Sequence, residues 1–282
     1  MPAIAYLGPQ KTNTHFAAQA KFGSRYAYVH APTVEEVFRL VEREKVEFGV
    51  VPIENSLEGA VTHTLDRFID FKYSPVTIHG EIVQPIQHYL IAHQKTPWKK
   101  IRIVFSHPQA LGQCNRWLAE HYPDAARRET SSTAEAVAYL LSKEKSITRT
   151  FHQRAAIGRR ELALDHELKT MPIPITRENR TRFLILGLGN PCPGKRNKTS
   201  LMFALKDKPG ALYDALLPFK QGKINLTKIE SRPSKQKAWE YIFFIDLEGH
   251  ITESRVERAL KVLERRTSSF QLLGSYPRPV TR

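Results

Sequence analysis

The sequence predicts an α/β fold followed by a smaller βαββαβ module, and three observations support this prediction. Short apolar runs rich in β-branched residues alternate with amphipathic helical segments over the first two-thirds of the chain. A stretch rich in proline, glycine and basic residues comes next. Beyond it, strand and helix patterns recur in the order that is typical of a ferredoxin-like module.

The first region contains four apolar runs that we interpret as buried strands, at residues 3–7, 46–51, 101–105 and 183–188. Two helices between them have clear start signals. Thr33 with Glu36, and Ser132 with Glu135, fit the capping box, in which a hydroxyl and a carboxylate bind the free backbone N–H groups of the first turn.

The boundary between the two regions is predicted from the segment GNPCPGKRNK at residues 189–198. We therefore expect a first domain at residues 1–190, a linker at 191–198 and a second domain at 199–282. In the second domain we expect strands at 201–205, 224–229, 239–247 and 270–273, one helix after Pro209-Gly210 and another around Val256, Leu260 and Leu263.

Composition excludes several classes of protein. The 282 residues contain no apolar run long enough to span a membrane and no apolar leader, so we expect a cytoplasmic protein. Cys114 and Cys192 have no partners at metal-ligand spacing, and Cys114 shares a helix face with Leu111 and Leu118, which predicts a small buried side chain. The net charge of +15 is spread along the chain, which favours attraction of small anions over nucleic-acid binding.

Six segments, in the same order along the chain, resemble prephenate dehydratases and the ACT domain attached to them. They are AYLGPQKTNTHFAA (5–18), GVVPIENSLEG (49–59), SHPQALGQC (106–114), ENRTRFLILG (178–187), PGALYDAL (209–216) and KIESRP (228–233). The resemblance implies decarboxylating dehydration of prephenate to phenylpyruvate, with feedback inhibition by phenylalanine. It also implies a bilobal catalytic domain similar to periplasmic binding proteins, with the chain crossing between lobes near residue 80 and returning near residue 167.

The chemistry of prephenate explains why these residue types suit the reaction. The substrate carries two carboxylates and a ring hydroxyl, so a site must hold two anions and donate hydrogen bonds to the departing hydroxide. Loss of carbon dioxide produces an aromatic ring, which drives the reaction without a metal or an organic cofactor. The chain accordingly has no glycine-rich signature of a nucleotide site.

Thr181 is the expected catalytic residue, because it is the threonine of the family's TRF sequence, present here at 181–183. Its hydroxyl is too weak an acid to donate a proton, so we expect it to donate a hydrogen bond to the oxygen on which charge develops. On a strand, Thr181 and Phe183 point to one face and Arg182 to the other. Phe183 would lie beside the ring, and Arg182 would make a structural or interdomain contact.

Three helix starts are candidate carboxylate sites, because helix N-termini present free N–H groups and partial positive charge. The first follows Gly8-Pro9 and contains Thr12, which the resemblance places at the substrate. The second contains His107 and Gln109, of which Gln109 is the expected substrate contact, while His107 either relays a proton or caps its helix. The third contains Ser132 and Thr133, for which simple N-capping is an equal alternative.

Glu54, Asn55 and Ser56 follow an apolar strand, at the edge where open α/β sheets bind ligands. Asn55 and Ser56 resemble substrate-binding residues of the family. Glu54 would relay a proton if burial raised its pKa, and otherwise it would be an ion-paired or capping carboxylate.

Lys11 departs from the family pattern, which has glycine at this position. If the backbone there needs a positive φ angle, lysine strains the loop. Lys11 then either adds a cation to a carboxylate site or marks a loop that has drifted and lost activity.

The effector site of an ACT domain usually lies between protomers, where the first helix begins. The resemblance assigns phenylalanine binding to Gly210, Ala211, Leu212, Asn225, Glu230, Ser231, Arg232 and Pro233, although these residues alternatively only shape a turn and a dimer edge. We expect a homodimer or tetramer of the monofunctional kind. The alternative functions are arogenate dehydration, which uses the same chemistry, and a catalytically silent amino-acid sensor.

Overall fold

The computed structural model describes residues 1–71, 74–141, 151–164, 168–174, 178–234 and 240–279. Its strands are β1 (Ala3–Leu7), β2 (Ala27–Ala31), β3 (Phe48–Asn55), β4 (Gly59–Ala60), β5 (Val76–Pro85), β6 (Tyr89–His93), β7 (Ile103–Ser106), β8 (Ala126–Glu129), β9 (Arg154–Gly158), β10 (Leu168–Pro172), β11 (Arg180–Leu188), β12 (Asn197–Ala204), β13 (Leu226–Pro233), β14 (Tyr241–Glu248) and β15 (Ser269–Pro277). Its α-helices are α1 (Asn13–Phe22), α2 (Val34–Glu42), α3 (Thr62–Asp70), α4 (Pro108–Gln113), α5 (Asn115–His121), α6 (Thr133–Leu141), α7 (Ala211–Gln221) and α8 (Ser254–Arg266).

These elements form two compact units. The first consists of Met1–Leu7, Ala18–Val83 and Arg182–Arg282, and the second of Gly8–Ala17 and Gln84–Thr181. The chain therefore passes between units four times, after Leu7, Ala17, Val83 and Thr181. Residue 167, where we expected the return, lies outside the described residues.

The first unit begins with a mixed sheet in the order β2-β1-β3-β11-β5, in which β1 pairs in parallel with β2 and β3. Its helix α2 begins as the capping box predicts, because the Thr33 hydroxyl accepts a hydrogen bond from the Glu36 backbone N at 3.1 Å. Helices α2 and α3 bury Val37, Phe38 and Phe68 in the core of this sheet.

The C-terminal module of the first unit, residues 197–279, has the predicted βαββαβ order. Its antiparallel sheet is ordered β13-β14-β12-β15, so β13 is an edge strand. One face of this sheet packs with α7 and α8 through residues such as Phe203, Phe219 and Leu263. The other face contributes Met202 and Tyr276 to the core of the first sheet. The predicted α/β class and the module's order are confirmed.

The second unit contains a sheet in the order β10-β6-β9-β7-β8, in which β7 is parallel to both β8 and β9. Leu111, Cys114 and Leu118 pack in one core cluster on this sheet, as predicted. Burial raises the pKa of the Cys114 thiol to about 12, so this cysteine is an apolar packing residue and not a reactive thiol.

Among the described residues, no helix combines the length and the apolar composition needed to cross a bilayer. Within the same part of the chain, no three His, Cys, Asp or Glu side chains are grouped as metal ligands.

Candidate active site

Four of the segments that carry candidate site residues lie close together in the second unit. Because β7 and β8 are parallel neighbours, their carboxyl ends lie at the same edge of the sheet, and Ser106 pairs with Glu129 there. Helices α4 and α6 begin just after these two ends. The candidates at the start of α4, His107 and Gln109, therefore share an edge with Ser132 and Thr133.

The segment with Thr12 reaches the same region through its helix. Phe16 of α1 packs on the cluster that contains Ile91, Ala136 and Val137, and the Arg159 guanidinium lies 4.9 Å from the centre of its ring. Arg159 directly follows the carboxyl end of β9. This position places the start of α1 near the ends of the neighbouring parallel strands.

A buried polar network, which no local sequence pattern predicted, lies two residues before Thr181 and includes the last residue of helix α4. The Asn179 Nδ2 and His88 Nε2 atoms each lie 2.8 Å from Oε1 of Gln113, the last residue of α4. The Asn179 carbonyl also accepts a hydrogen bond from Ile86 N at 2.8 Å. The half-buried Thr181 lies two residues after this anchor, at the start of β11. Asn179 lies within the ENRTRF segment, which was the available sequence signal.

The capping alternatives proposed for two of these helix starts are present in the structure. Ser132 Oγ accepts a hydrogen bond from Glu135 N at 3.0 Å, and His107 Nδ1 accepts one from Gln109 N at 3.3 Å. The Glu135 carboxylate accepts from both the hydroxyl and the backbone N of Ser131, which lowers its pKa. A hydroxyl that accepts a capping hydrogen bond can still donate its own proton to a ligand, so capping by Ser132 does not exclude substrate binding.

Lys11 has a φ angle of 63°, in the left-handed region that the family's glycine would favour. Its backbone N donates a 2.9 Å hydrogen bond to His15 Nδ1, and Thr12 Oγ1 accepts one from His15 N at 3.4 Å. Burial lowers the pKa of His15, which favours the neutral ring that can accept this bond. The backbone at Lys11 therefore has a left-handed conformation, which glycine adopts with less strain than lysine.

The remaining candidates lie in the first unit. Asn55 is buried, and its Oδ1 accepts a hydrogen bond from Leu57 N at 2.9 Å, whereas Ser56 is exposed. Phe183 is only 1% exposed. Glu54 Oε2 lies 2.9 Å from Nη2 of Arg182 and 3.5 Å from Nζ of Lys228. Glu54 is thus the ion-paired carboxylate that was the alternative to a proton relay.

In the C-terminal module, Ala211 and Leu212 line a cavity of about 600 Å³ together with Lys206, Lys208 and Tyr241. Gly210 precedes them with a φ angle of 78°. The other proposed effector residues lie on or just before the edge strand β13, whose side chains alternate between half-buried and exposed.

Comparisons with known proteins identify the family of this chain. The family model of prephenate dehydratase matches residues 4–190, and the ACT domain model matches residues 199–265. The chain belongs to the prephenate dehydratase family. Its C-terminal module is accordingly an ACT domain.

Relatives match along nearly the whole chain. The bifunctional chorismate mutase/prephenate dehydratase of Aquifex aeolicus is 43% identical over 98% of this chain and 73% of its own length. The prephenate dehydratase of Methanocaldococcus jannaschii is 39% identical over 98% of both chains. The crystal structure of prephenate dehydratase from Arthrobacter aurescens in complex with L-Phe has a TM-score of 0.87 at 32% identity, covering 98% of this chain and 90% of that one.

Proposed function

We propose that this chain is a carbon–oxygen lyase that converts prephenate to phenylpyruvate, carbon dioxide and water. The observation that carries the proposal is the hydrogen bond from Asn179, two residues before Thr181, to Gln113 of helix α4 in a member of the prephenate dehydratase family. In the reaction the ring carboxylate leaves as carbon dioxide, and its electron pair enters the ring. The ring C–O bond breaks, and the departing hydroxide takes up one proton to leave as water.

Thr181 donates a hydrogen bond to the departing oxygen as its negative charge develops. A donor already held in position needs no reorganisation during the reaction, and its contribution is electrostatic. The substrate carboxylates are bound by the helix starts that contain Thr12, Gln109, Ser132 and Thr133, where backbone N–H groups lie beside hydroxyl and amide side chains. Asn55, Ser56 and Phe183 remain predictions from the family resemblance.

Of the two candidates for proton relay, His107 is the better supported. Its Nδ1 accepts from Gln109 N, so Nε2 carries the proton of the neutral ring and can donate it. Glu54 accepts hydrogen bonds from Nε and Nη2 of Arg182, which supports its alternative role as the ion-pair partner of that side chain.

We further propose that phenylalanine inhibits the enzyme by binding at the ACT domain. The complex of the Arthrobacter aurescens relative with L-Phe supports this assignment, as does the cavity at Ala211 and Leu212. The edge strand β13 would pair with a second copy of the chain, giving a homodimer or tetramer in which Asn225 and residues 230–233 complete the effector site. We assign the enzyme to the cytoplasm, as expected for amino-acid biosynthesis.

The test is incubation of the purified protein with prephenate and, separately, with arogenate, followed by quantification of phenylpyruvate and phenylalanine. We expect phenylpyruvate from prephenate and little phenylalanine from arogenate. Turnover of arogenate alone would assign the activity to the rival substrate. Turnover of neither would favour a catalytically silent sensor.

A further inference from the structure

Arg182 lies at one of the four points where the chain passes between units, directly after Thr181. Its guanidinium contacts three carboxylates: Nη1 lies 2.6 Å from Asp246 and 3.0 Å from Glu81, and Nη2 lies 2.9 Å from Glu54. Glu81 is two residues before Val83, where another passage begins. One cation is therefore bound next to two of the four passages.

The ACT domain supplies the other half of this group. Asp246 lies on β14, Lys198 on β12 and Lys228 on β13. Lys198 Nζ contacts both oxygens of Glu81, at 2.7 and 2.8 Å, and Lys228 Nζ lies 3.5 Å from Glu54. We call these six residues, Glu54, Glu81, Arg182, Lys198, Lys228 and Asp246, the charge cluster.

The charge cluster balances three cations against three carboxylates in a buried position. The side chains of Arg182, Glu81, Asp246, Lys198 and Lys228 are between 4% and 12% exposed. Ser200 Oγ adds a 2.6 Å hydrogen bond to Asp246 and lies 2.8 Å from the Tyr276 hydroxyl. Since well-packed apolar residues often stabilise a protein as well as buried ion pairs do, stability alone does not account for this group.

We infer that Arg182 is a positioning residue for Thr181, and that Asp246 is the ACT-domain residue through which effector binding reaches it. The inference rests on the proposed inhibition by phenylalanine. Lys228 lies on β13, the strand that carries the proposed effector residues 230–233, so a shift of β13 or β14 moves the partners of Arg182. A displaced guanidinium moves the backbone of the adjacent Thr181 and lowers turnover.

The decisive variant is Asp246→Asn, which keeps the shape of the side chain and removes its charge. Its activity is measured without phenylalanine and at saturating phenylalanine, and phenylalanine binding is measured by calorimetry. We expect saturating phenylalanine to lower the activity of the wild type about tenfold and that of the variant less than about twofold. Binding of phenylalanine should stay within about threefold of the wild type.

Asp66→Asn is the matched control. Asp66 of α3 forms a 3.3 Å ion pair with Arg232 of β13, so this change also neutralises a carboxylate paired with the ACT domain, but one that does not touch Arg182. The control should remain inhibited at saturating phenylalanine. If Asp246→Asn does not fold, Arg182→Lys is tested for inhibition by phenylalanine instead, because that change loosens the same contact with Asp246 from the other side and keeps the positive charge.

Arg182→Lys tests the positioning role separately, since lysine keeps the charge but cannot bridge three carboxylates in the same geometry. We expect kcat to fall at least about tenfold with KM changed less than about threefold. A folded Asp246→Asn variant, or Arg182→Lys in its place, that binds phenylalanine and is inhibited as fully as the wild type would overturn the inference. A wild type that phenylalanine does not inhibit would instead refute the proposed regulation, and the kcat of Arg182→Lys would still decide the positioning role.

Discussion

Nη1 of Arg182 lies 2.6 Å from Oδ2 of Asp246, so strand β11 of the first sheet is joined to strand β14 of the ACT domain by a buried ion pair. Burial by itself lowers the pKa of the Arg182 guanidinium, but the carboxylates of Asp246 and Glu81 outweigh this effect and raise it above the ordinary value. Arg182 is therefore a permanent cation at this position, and its charge contributes to the lowered pKa of Asp246.

Glu81→Gln should destabilise the protein, because it leaves the buried Lys198 ammonium without its carboxylate. We expect the free energy of unfolding, measured by urea denaturation, to fall by about 3 kcal/mol. The matched control is Glu120→Gln, which removes an exposed i,i+4 pair with Arg116 and should change stability within experimental error. Equal effects of the two changes would contradict the account of the charge cluster.

Protonation of Asp246 at low pH should lower the free energy of unfolding. Burial raises the pKa of the Asp246 carboxyl, but the positive charges of Arg182 and Lys198 lower it by more. Its pKa in the folded state therefore lies below its ordinary value. Because this pKa is lower in the folded state, ionised Asp246 stabilises the protein at pH values above its pKa in the unfolded chain, about 3.9. This stabilisation is lost as the pH falls through the folded-state pKa. Between about pH 5 and pH 3, the unfolding free energy of the wild type should fall more steeply than that of Asp246→Asn. Identical slopes would show that Asp246 is not the titrating group.

Gly274→Ala should disrupt the packing between β15 and β5. A Cβ atom at this position would lie 2.4 Å from the Ile78 carbonyl oxygen and 2.9 Å from the Ile78 backbone N. These backbone atoms cannot move away, because Ile78 belongs to a paired strand. We expect a loss of up to about 3 kcal/mol in urea denaturation. Gly112→Ala in α4, where nothing lies within 4 Å of the new Cβ, should instead stabilise by about 0.5–1 kcal/mol. A Gly274→Ala variant as stable as the wild type would contradict the close approach of β15 to β5.

Lys11→Gly and Lys11→Ala separate backbone strain from charge, since both remove the ammonium and only glycine relieves the positive φ angle. We expect the glycine variant to be more stable than the alanine variant by about 0.5–1 kcal/mol, because relief of strain exceeds the entropic cost of glycine. Thermal and urea unfolding of the pair measure the difference. A gain in turnover with glycine would count against a substrate-binding role for the Lys11 cation, and an alanine variant as stable as glycine would argue against strain.

Several elements could be predicted from local patterns. The strand at residues 3–7 and the cap at Thr33 are confirmed as predicted, because a short apolar run and a capping signal depend only on neighbouring residues. The strand predicted at 46–51 begins at Phe48 and continues to Asn55, since pairing extends it into polar residues. The βαββαβ order followed from the same local signals.

The elements that were missed depend on distant partners. Strand β8, with the sequence ARRE, has no apolar residue beyond its alanine and is held in place by pairing with β7. Glu81 lies in the middle of β5 as a buried carboxylate, and its partner Lys198 is 117 residues away. No local pattern encodes such a pair. The TRF segment indicated Thr181. The hydrogen bond from Asn179, two residues before it, to Gln113 joins distant parts of the chain and is seen only in the folded structure.

The role of the Thr181 hydroxyl is tested by the turnover of prephenate by Thr181→Ala, compared with Thr181→Ser. Serine keeps a hydroxyl at the same position, whereas alanine removes the donor to the departing oxygen. We expect kcat for phenylpyruvate formation to fall at least about 100-fold with alanine, and less than about tenfold with serine. A folded Thr181→Ala enzyme that forms phenylpyruvate at the wild-type rate would contradict the account.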